Sequence, residues 1–149
     1  MSGEEIEALL ARVKERIIRE AEKACCAREG LEEPIEVETM EELMEYIENC
    51  GAVILTFYTP TCPYCRAFKP VYAMVSEEYP RLPFLRVNAW ILPEAAQLFG
   101  VMGVPMTIGI ARGRPTAVIY GYAEPDMVEE LVERTTREAS CSAGSGEED

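Results

Sequence analysis

Two cysteines, Cys62 and Cys65, are the residues of this 149-residue chain whose spacing most directly predicts chemistry. They follow an apolar run at 52–58, typical of a buried strand, and precede a helical pattern that begins at residue 63. Cysteines three positions apart in the first turn of a helix place both sulfur atoms on one side, close enough to form a disulfide. The helix N-terminus favours a thiolate at Cys62, because its unpaired N–H groups carry partial positive charge. The pattern predicts reversible dithiol–disulfide exchange.

The composition argues against several other classes of function. The chain has no histidine, which excludes Ser-His-Asp and Cys-His catalysis and any metal site with a histidine ligand. A formal net charge of -13 argues against nucleic acid and anionic lipid as partners, since like charges repel. The N-terminal residues lack the basic and apolar regions of a signal peptide, and no apolar run approaches the length of a membrane span. We therefore expect a cytoplasmic protein with no nucleic-acid or membrane partner.

Periodicity divides the chain into three parts. Residues 1–33 form an N-terminal extension, in which residues 4–28 have the apolar spacing of one amphipathic helix and Gly30 marks its end. Residues 34–138 alternate strand-like and helix-like segments, which predicts an α/β domain with a mixed sheet of about five strands between helices. Residues 139–149 are small, polar and acidic and predict a flexible tail. The apolar face of the first helix predicts packing against the main domain, against a second copy in a homodimer, or against another partner.

An ordered series of residues resembles the thioredoxin family over residues 34–138. Beyond the two cysteines it comprises Phe57 five residues before Cys62, Pro70 five residues after Cys65, the strand end Arg86-Val87-Asn88, the segment from Phe99 to Pro105, and Gly121 in the last strand. The resemblance implies a thioredoxin fold and thiol–disulfide oxidoreductase activity on protein disulfides.

The resemblance also implies a role for each residue of the site. Cys62 attacks the disulfide of a client protein, and Cys65 then attacks Cys62 in the mixed disulfide and releases the reduced client. Pro105 is implied to be cis, with Val104 and Thr61 beside it in the client groove. The only implied redox group is the Cys62–Cys65 disulfide, with no bound cofactor, and the implied electron donor is a flavin-dependent thioredoxin reductase.

Two departures from the thioredoxin pattern lie in and before the cysteine motif. Pro63 and Tyr64, between the cysteines, are similar to the motif of glutaredoxins, whereas thioredoxins usually have Gly-Pro. Thr61 replaces the usual tryptophan. These residues leave open a glutaredoxin-like enzyme that uses glutathione, or a disulfide oxidase or isomerase. A metal-binding module and a non-catalytic interaction domain are the remaining alternatives.

A third departure concerns the proton of Cys65. Thr56 stands where thioredoxins have a buried aspartate thought to help deprotonate the second cysteine, and a threonine cannot accept a proton near neutral pH. Either water or another carboxylate must therefore accept the proton of Cys65. Arg86 stands near this site, at a position that is basic in the thioredoxin family. It either stabilises a thiolate or forms an ion pair at the end of its strand. Losing a carboxylate favours the thiolate, so we expect a more oxidising couple than in a Gly-Pro thioredoxin.

Four further cysteines lie outside the motif. Cys50 is expected to be buried and inert. An alternative hypothesis is that Cys25 or Cys26 forms a disulfide with Cys50 and attaches the N-terminal helix to the domain. Cys141 lies in the predicted tail, where it could form adventitious dimers.

Overall fold

A mixed five-stranded sheet organises the fold in this computed structural model. The structure describes residues 2–21, 24–26, 31 and 33–144, with the backbone alone for residues 15–21. The sheet has the order β1-β3-β2-β4-β5, in which β1 and β2 run parallel to β3, β4 runs antiparallel to β2, and β5 runs antiparallel to β4. The strands are β1 (Ile35–Val37), β2 (Ala52–Tyr58), β3 (Phe84–Asn88), β4 (Met106–Ala111) and β5 (Arg114–Tyr120). The predicted sheet of about five strands is confirmed.

Helices cover both faces of this sheet. The helices in the described part of the chain are α1 (Gly3–Ala21), α2 (Met40–Asn49), α3 (Pro63–Glu78), α4 (Pro93–Leu98) and α5 (Pro125–Ala139), and the last four cover the sheet. Buried side chains of α3 and α5 share one core with the sheet, and those of α2 and α4 share a second core on the opposite face. None of these helices is both long and apolar enough to cross a membrane.

Strand β2 contributes to both cores, because successive side chains of a strand point to opposite faces. Ile54 packs into the core with α3 and α5, whereas Leu55 and Phe57 pack into the core with α2 and α4. Each such side chain stabilises the fold by roughly 1.5–3 kcal/mol relative to an exposed position. Burial on both faces explains the nearly continuous apolar run, and it holds rigid the strand that leads to Cys62.

Local signals mark several element ends correctly. The side-chain oxygen of Thr39 accepts a hydrogen bond from the backbone N–H of Glu42 at 3.1 Å and caps α2. Gly100 has a φ of +65°, a conformation that favours glycine, and it follows the end of α4. Threonine is typical of a helix N-cap, and glycine of the position just after a helix end.

The predicted single helix at 4–28 is wrong in its second part. Helix α1 ends at Ala21, and the chain at 24–26 pairs with other segments instead. Ala24 forms a parallel bridge with Ser142, and the N–H of Cys25 donates to the Ser142 carbonyl at 2.9 Å. Backbone groups that bond to a distant segment cannot also close helical turns, so the helix stops before them. Gly30, the predicted end, lies outside the described residues.

Two disulfides join the N-terminal extension to the rest of the fold. One links Cys26 to Cys50, which is one of the two pairings in our hypothesis, and Cys50 is buried as expected. The other links Cys25 to Cys141. The expectation that Cys141 lies in a loose tail, available for intermolecular bridges, is therefore wrong.

The segment after α5 is also attached to the fold. The N–H of Arg81 donates to the Ala143 carbonyl at 3.0 Å, and Ala143 is buried. This differs from the flexible tail that the sequence predicted over residues 139–149, because Cys141 and Ser142 bond to residues 24–25 and Ala143 bonds to Arg81. Residues 145–149 lie outside the described part.

In the part of α1 whose side chains the structure describes, the apolar face does not pack on the domain, contrary to one of the three expectations. Ile6, Leu9, Leu10 and Val13 are 44%, 51%, 53% and 41% exposed.

Removing the Cys25–Cys141 bridge should destabilise the protein more than removing the Cys26–Cys50 bridge. The cysteines are 116 residues apart in the first pair and 24 in the second, and a longer closed loop restricts the unfolded chain more. We expect the Cys25→Ala/Cys141→Ala variant to lose about 5 kcal/mol of unfolding free energy, and Cys26→Ala/Cys50→Ala about 3 kcal/mol. Urea unfolding of the oxidised proteins measures both. Equal losses, or the reverse order, would contradict the expectation.

Candidate active site

The first turn of α3 positions the two cysteines of the motif. Cys62 is the N-cap of α3, and its Sγ accepts a hydrogen bond from the backbone N–H of Cys65 at 3.1 Å. The two residues are joined by a disulfide, with 5.1 Å between their Cα atoms. Pro63 occupies the first helical position, where the missing N–H has no helical partner to lose. The helix start thus holds both sulfur atoms in one turn.

The two cysteines differ in exposure. Cys62 is half-buried, whereas Cys65 is only 6% exposed. A sulfur atom from another protein therefore reaches Cys62 first, while Cys65 is shielded by the turn and by the core behind it.

The loop before β4 lies against Cys62. The peptide bond between Val104 and Pro105 is cis, as the sequence predicted, and the carbonyl oxygen of Val104 is 3.7 Å from the Sγ of Cys62. This is a contact and not a hydrogen bond in the oxidised state, since a disulfide sulfur carries no proton. The structure thus brings Val104 next to the cysteine pair, and the cavity behind Cys65 is lined in part by Pro105.

The other predicted residues of the motif lie on the surface. Thr61 and Pro63 are exposed, and Tyr64 is 69% exposed.

A set of apolar side chains in the loops at this end of the sheet was not predicted from the sequence. Trp90 and Ile91 follow β3, whose carboxyl end lies at the same edge as that of the parallel strand β2. Met102 lies in the loop that leads to Pro105. Their exposures are 61%, 59% and 100%. Exposed large apolar residues in loops were the available signal, because such side chains often contact partners.

A small cavity lies behind Cys65. It has about 10 Å³ of free space, and its walls include Cys65, Thr56, Tyr58, Arg86 and Pro105. The hydroxyl of Thr56 lies 2.9 Å from the hydroxyl of Thr107 on the neighbouring strand β4. Thr56 is therefore tied to the sheet and offers no base to Cys65.

Arg86 forms the ion pair that the sequence allowed, and it also lies in the cavity wall with Cys65. Its guanidinium donates to Oε1 of Glu36 at 2.9 Å. Its Cζ lies 4.0 Å from the centre of the Tyr58 ring, a cation–π contact.

Tyr58 completes this cluster, and neither Tyr58 nor Glu36 was predicted as a site residue. The Tyr58 hydroxyl donates to Oε2 of Glu36 at 2.6 Å. Burial, together with this hydrogen bond, raises the pKa of Tyr58 to about 12. The pairing of β1 and β2 with β3 puts both side chains on one sheet face, and this register could not be read from the sequence.

In the described part of the chain no group of three or more acidic, cysteine or histidine side chains is arranged to hold a metal ion. All six cysteines are disulfide-bonded.

This sheet order, with a disulfide in a C-x-x-C turn at a helix start and a cis-proline beside it, defines a thioredoxin fold. The family model described as thioredoxin matches residues 34–134, and the chain belongs to the thioredoxin family. Members of this family are disulfide oxidoreductases.

Individual relatives are distant. The chain is 30% identical over 81 residues to a thioredoxin-like protein of Fusarium culmorum, covering 52% of this chain and 67% of that protein. It is 26% identical over 109 residues to the protein disulfide-isomerase of Drosophila melanogaster, covering 70% of this chain but 22% of that protein. A mutant thioredoxin from Halobacterium salinarum has a TM-score of 0.68 at 24% identity, covering 74% of this chain and 96% of that one. The structural likeness supports the fold alone.

Proposed function

We propose that the protein reduces disulfides of client proteins through Cys62 and Cys65. The observation that carries the proposal is the disulfide between a half-buried Cys62 and a buried Cys65 at the start of α3. The accessible sulfur is suited to capture a client, and the shielded one to resolve the mixed disulfide.

The reaction balances as a transfer of two electrons and two protons. The Cys62 thiolate attacks one sulfur of the client disulfide, and the other client sulfur leaves as a thiolate that takes a proton. Cys65 then loses its proton and attacks the Cys62 sulfur, which releases the second client sulfur as a thiolate. The client ends as a dithiol, and the protein ends with the Cys62–Cys65 disulfide.

The helix start and the neighbouring loop assist these steps in different ways. The N–H of Cys65 and the positive end of the α3 dipole stabilise negative charge on the Cys62 sulfur. The Val104 backbone beside this sulfur, with Thr61 on the exposed turn before it, would hold an extended client segment. The exposed apolar side chains of Trp90, Ile91 and Met102 would contact apolar residues of the client.

Regeneration of the dithiol needs a reductant, for which we propose a flavin-dependent thioredoxin reductase. We also propose the cytoplasm as its location. Disulfides persist inside the cells of some heat-adapted organisms, and the abundance of Glu and Arg in this chain is compatible with such a source.

An oxidase or isomerase is the second candidate, favoured by the likeness to a protein disulfide-isomerase. It would use the same two cysteines in the opposite direction. The glutaredoxin-like alternative uses glutathione as its reductant in place of a flavoenzyme.

We further propose that α1 pairs antiparallel with α1 of a second copy. Its apolar face at Ile6, Leu9, Leu10 and Val13 is exposed. The first part of α1 is acidic, with Glu4, Glu5 and Glu7, and Arg12 and Lys14 follow. Antiparallel pairing would set acidic residues of one helix beside basic residues of the other, whereas parallel pairing would set like charges together.

Substituting the two cysteines should have different effects on turnover. Cys62→Ser removes the nucleophile, so we expect dithiothreitol-driven insulin reduction to fall at least ~10³-fold. Cys65→Ser should instead accumulate a mixed disulfide between Cys62 and the client, visible by non-reducing mass spectrometry. The control is Cys26→Ala/Cys50→Ala, which lacks two cysteines away from the site and should retain activity. Trapping by Cys62→Ser rather than Cys65→Ser would refute the assigned roles.

The reduction potential of the Cys62–Cys65 pair should lie above that of a typical thioredoxin. Thr56 leaves the site without the negative charge that disfavours a thiolate, so the reduced form is stabilised. We expect a value above about -250 mV from equilibration with glutathione, and a Thr56→Asp variant should be lower by about 30 mV or more. A wild-type value at or below about -270 mV would contradict the expectation. A value near -180 mV would favour the oxidase or isomerase.

Sedimentation equilibrium of the full chain tests the α1 pairing. We expect a dimer that Leu9→Glu converts to monomer, because the new charge would be buried between the helices. The matched control is Ala8→Glu, which adds the same charge on the opposite side of α1 and should leave the dimer intact. A monomeric wild-type chain would end the proposal.

A further inference from the structure

The buried thiol of Cys65 needs a proton acceptor in the reduced protein. Burial in apolar surroundings disfavours a thiolate, and only the thiolate attacks a disulfide. Thr56 cannot serve, since a hydroxyl is no base near neutral pH and this one is engaged with Thr107. The proton of Cys65 must therefore reach its acceptor through the other polar residues around the cavity.

A row of polar residues crosses the sheet beside this cavity. The register places Glu36 on β1 opposite Arg86 on β3, and Arg86 opposite Thr56 on β2. Side chains that are in register on neighbouring strands project from the same face, so the carboxylate, the guanidinium and the hydroxyl lie side by side. Thr56 and Arg86 line the cavity, whereas Glu36 is at the outer end of the row, with its side chain 34% exposed.

Tyr58 connects the cavity to this carboxylate. It lies two residues beyond Thr56, on the same face of β2, and its side chain is in the cavity wall with Cys65. Its hydroxyl donates to Oε2 of Glu36 at 2.6 Å. The hydroxyl oxygen is still free to accept a hydrogen bond, which a donor in the cavity could supply.

We propose that Glu36 accepts the proton of Cys65, relayed by the Tyr58 hydroxyl and one water molecule in the cavity. The free space of about 10 Å³ is close to the minimum for one water, and Thr56, Tyr58 and Arg86 supply polar groups in a wall that is otherwise largely apolar. The proposal rests on the proposed function, in which Cys65 resolves the mixed disulfide. Glu36 and Tyr58 act through the water and are positioning residues, not groups that touch the reacting sulfur.

The proton moves in a chain that leaves no intermediate charge on Tyr58. Cys65 gives its proton to the water, the water gives one to the Tyr58 oxygen, and the Tyr58 hydroxyl proton passes to Glu36. Glu36 then releases the proton to solvent. The Cys65 thiolate attacks the Cys62 sulfur, and the client sulfur leaves with the electron pair.

The other charged and titratable groups around Tyr58 are compatible with this route. Arg86 and Lys69 are the cations of the cavity wall and favour the thiolate. Tyr72, also in the wall, donates to the Leu85 carbonyl at 2.7 Å and is not a free donor to the water. Glu38 adds to the negative field that raises the pKa of Tyr58, which keeps this phenol protonated and able to donate at neutral pH.

Stepwise reaction with Ellman's reagent isolates the step concerned. The full chain is reduced at the Cys62–Cys65 pair alone, with the other two disulfides verified by mass spectrometry. The first coloured thiolate is released when Cys62 attacks the reagent, and the second when Cys65 resolves the mixed disulfide. The rate of the second release is measured against pH for wild type, Tyr58→Phe and Glu36→Gln. The controls are Tyr120→Phe and Glu45→Gln, which alter an exposed tyrosine and an exposed carboxylate.

We expect Tyr58→Phe and Glu36→Gln to slow the second release by about tenfold to a hundredfold near pH 7 and to leave the first unchanged. The deficit should vanish above about pH 9, where thiols ionise without an acceptor. Both controls should match wild type. Equal slowing at every pH would indicate a purely structural role and overturn the relay.

Glu36→Gln also separates proton transfer from simple electrostatics. Removing the carboxylate leaves Arg86 unpaired, which favours a thiolate in the cavity. If Glu36 acted only through its charge, the second release would be faster near pH 7, and that result would overturn the relay. A wild-type chain without either release would instead refute the proposed function itself.

Discussion

The hydrogen bond from the Cys65 N–H to the sulfur of Cys62 is the contact on which the site depends. It makes a cysteine the N-cap of α3, so one sulfur satisfies a backbone donor that would otherwise lack a helical partner. The same donor and the helix dipole favour negative charge on that sulfur. The second sulfur follows one turn later, where the helix backbone holds it at bonding distance.

This turn needs a rigid support, which strand β2 provides. Its residues from Ala52 to Phe57 are buried, with apolar side chains in the cores on both faces. Thr56 interrupts the apolar run where β2 lines the cavity. Arg86 on β3 and Glu36 on β1 continue the row of polar side chains across the sheet. A carboxylate at Thr56 would be fully buried, whereas Glu36 at the edge of the row is partly solvated and paired with Arg86. The fold thereby keeps a carboxylate connected to the cavity without the cost of isolating its charge from water.

The adjacent cysteines of the N-terminal extension join the two sides of the fold. Cys25 belongs to the core with α3 and α5, and Cys26 belongs to the core with α2 and α4. Neighbouring residues of an extended segment point to opposite sides, so one dipeptide can form a disulfide in each core. Cys25 thereby connects the extension to Cys141 after the last helix, and Cys26 connects it to Cys50 at the end of α2.

The sequence by itself determined the parts that depend on near neighbours in the chain. Spacing, periodicity and residue type over a few positions are enough to predict local features. These are the cysteine pair at a helix start, the strands at 52–58 and 106–111, and the cap at Thr39. The pattern of residues at several such positions also identified the family.

Only the tertiary structure decided which distant groups meet. Three contacts join segments that are far apart in the chain. They are the disulfide of Cys25 with Cys141, the backbone bonds that attach residues 140–144, and the hydrogen bond between Tyr58 and Glu36. The alternation of a strand shows which face a side chain is on, but it does not show which strand lies beside it or in what register. That choice is made by packing of whole elements, and so the carboxylate connected to the cavity behind Cys65 could be named only once β1 was seen next to β3.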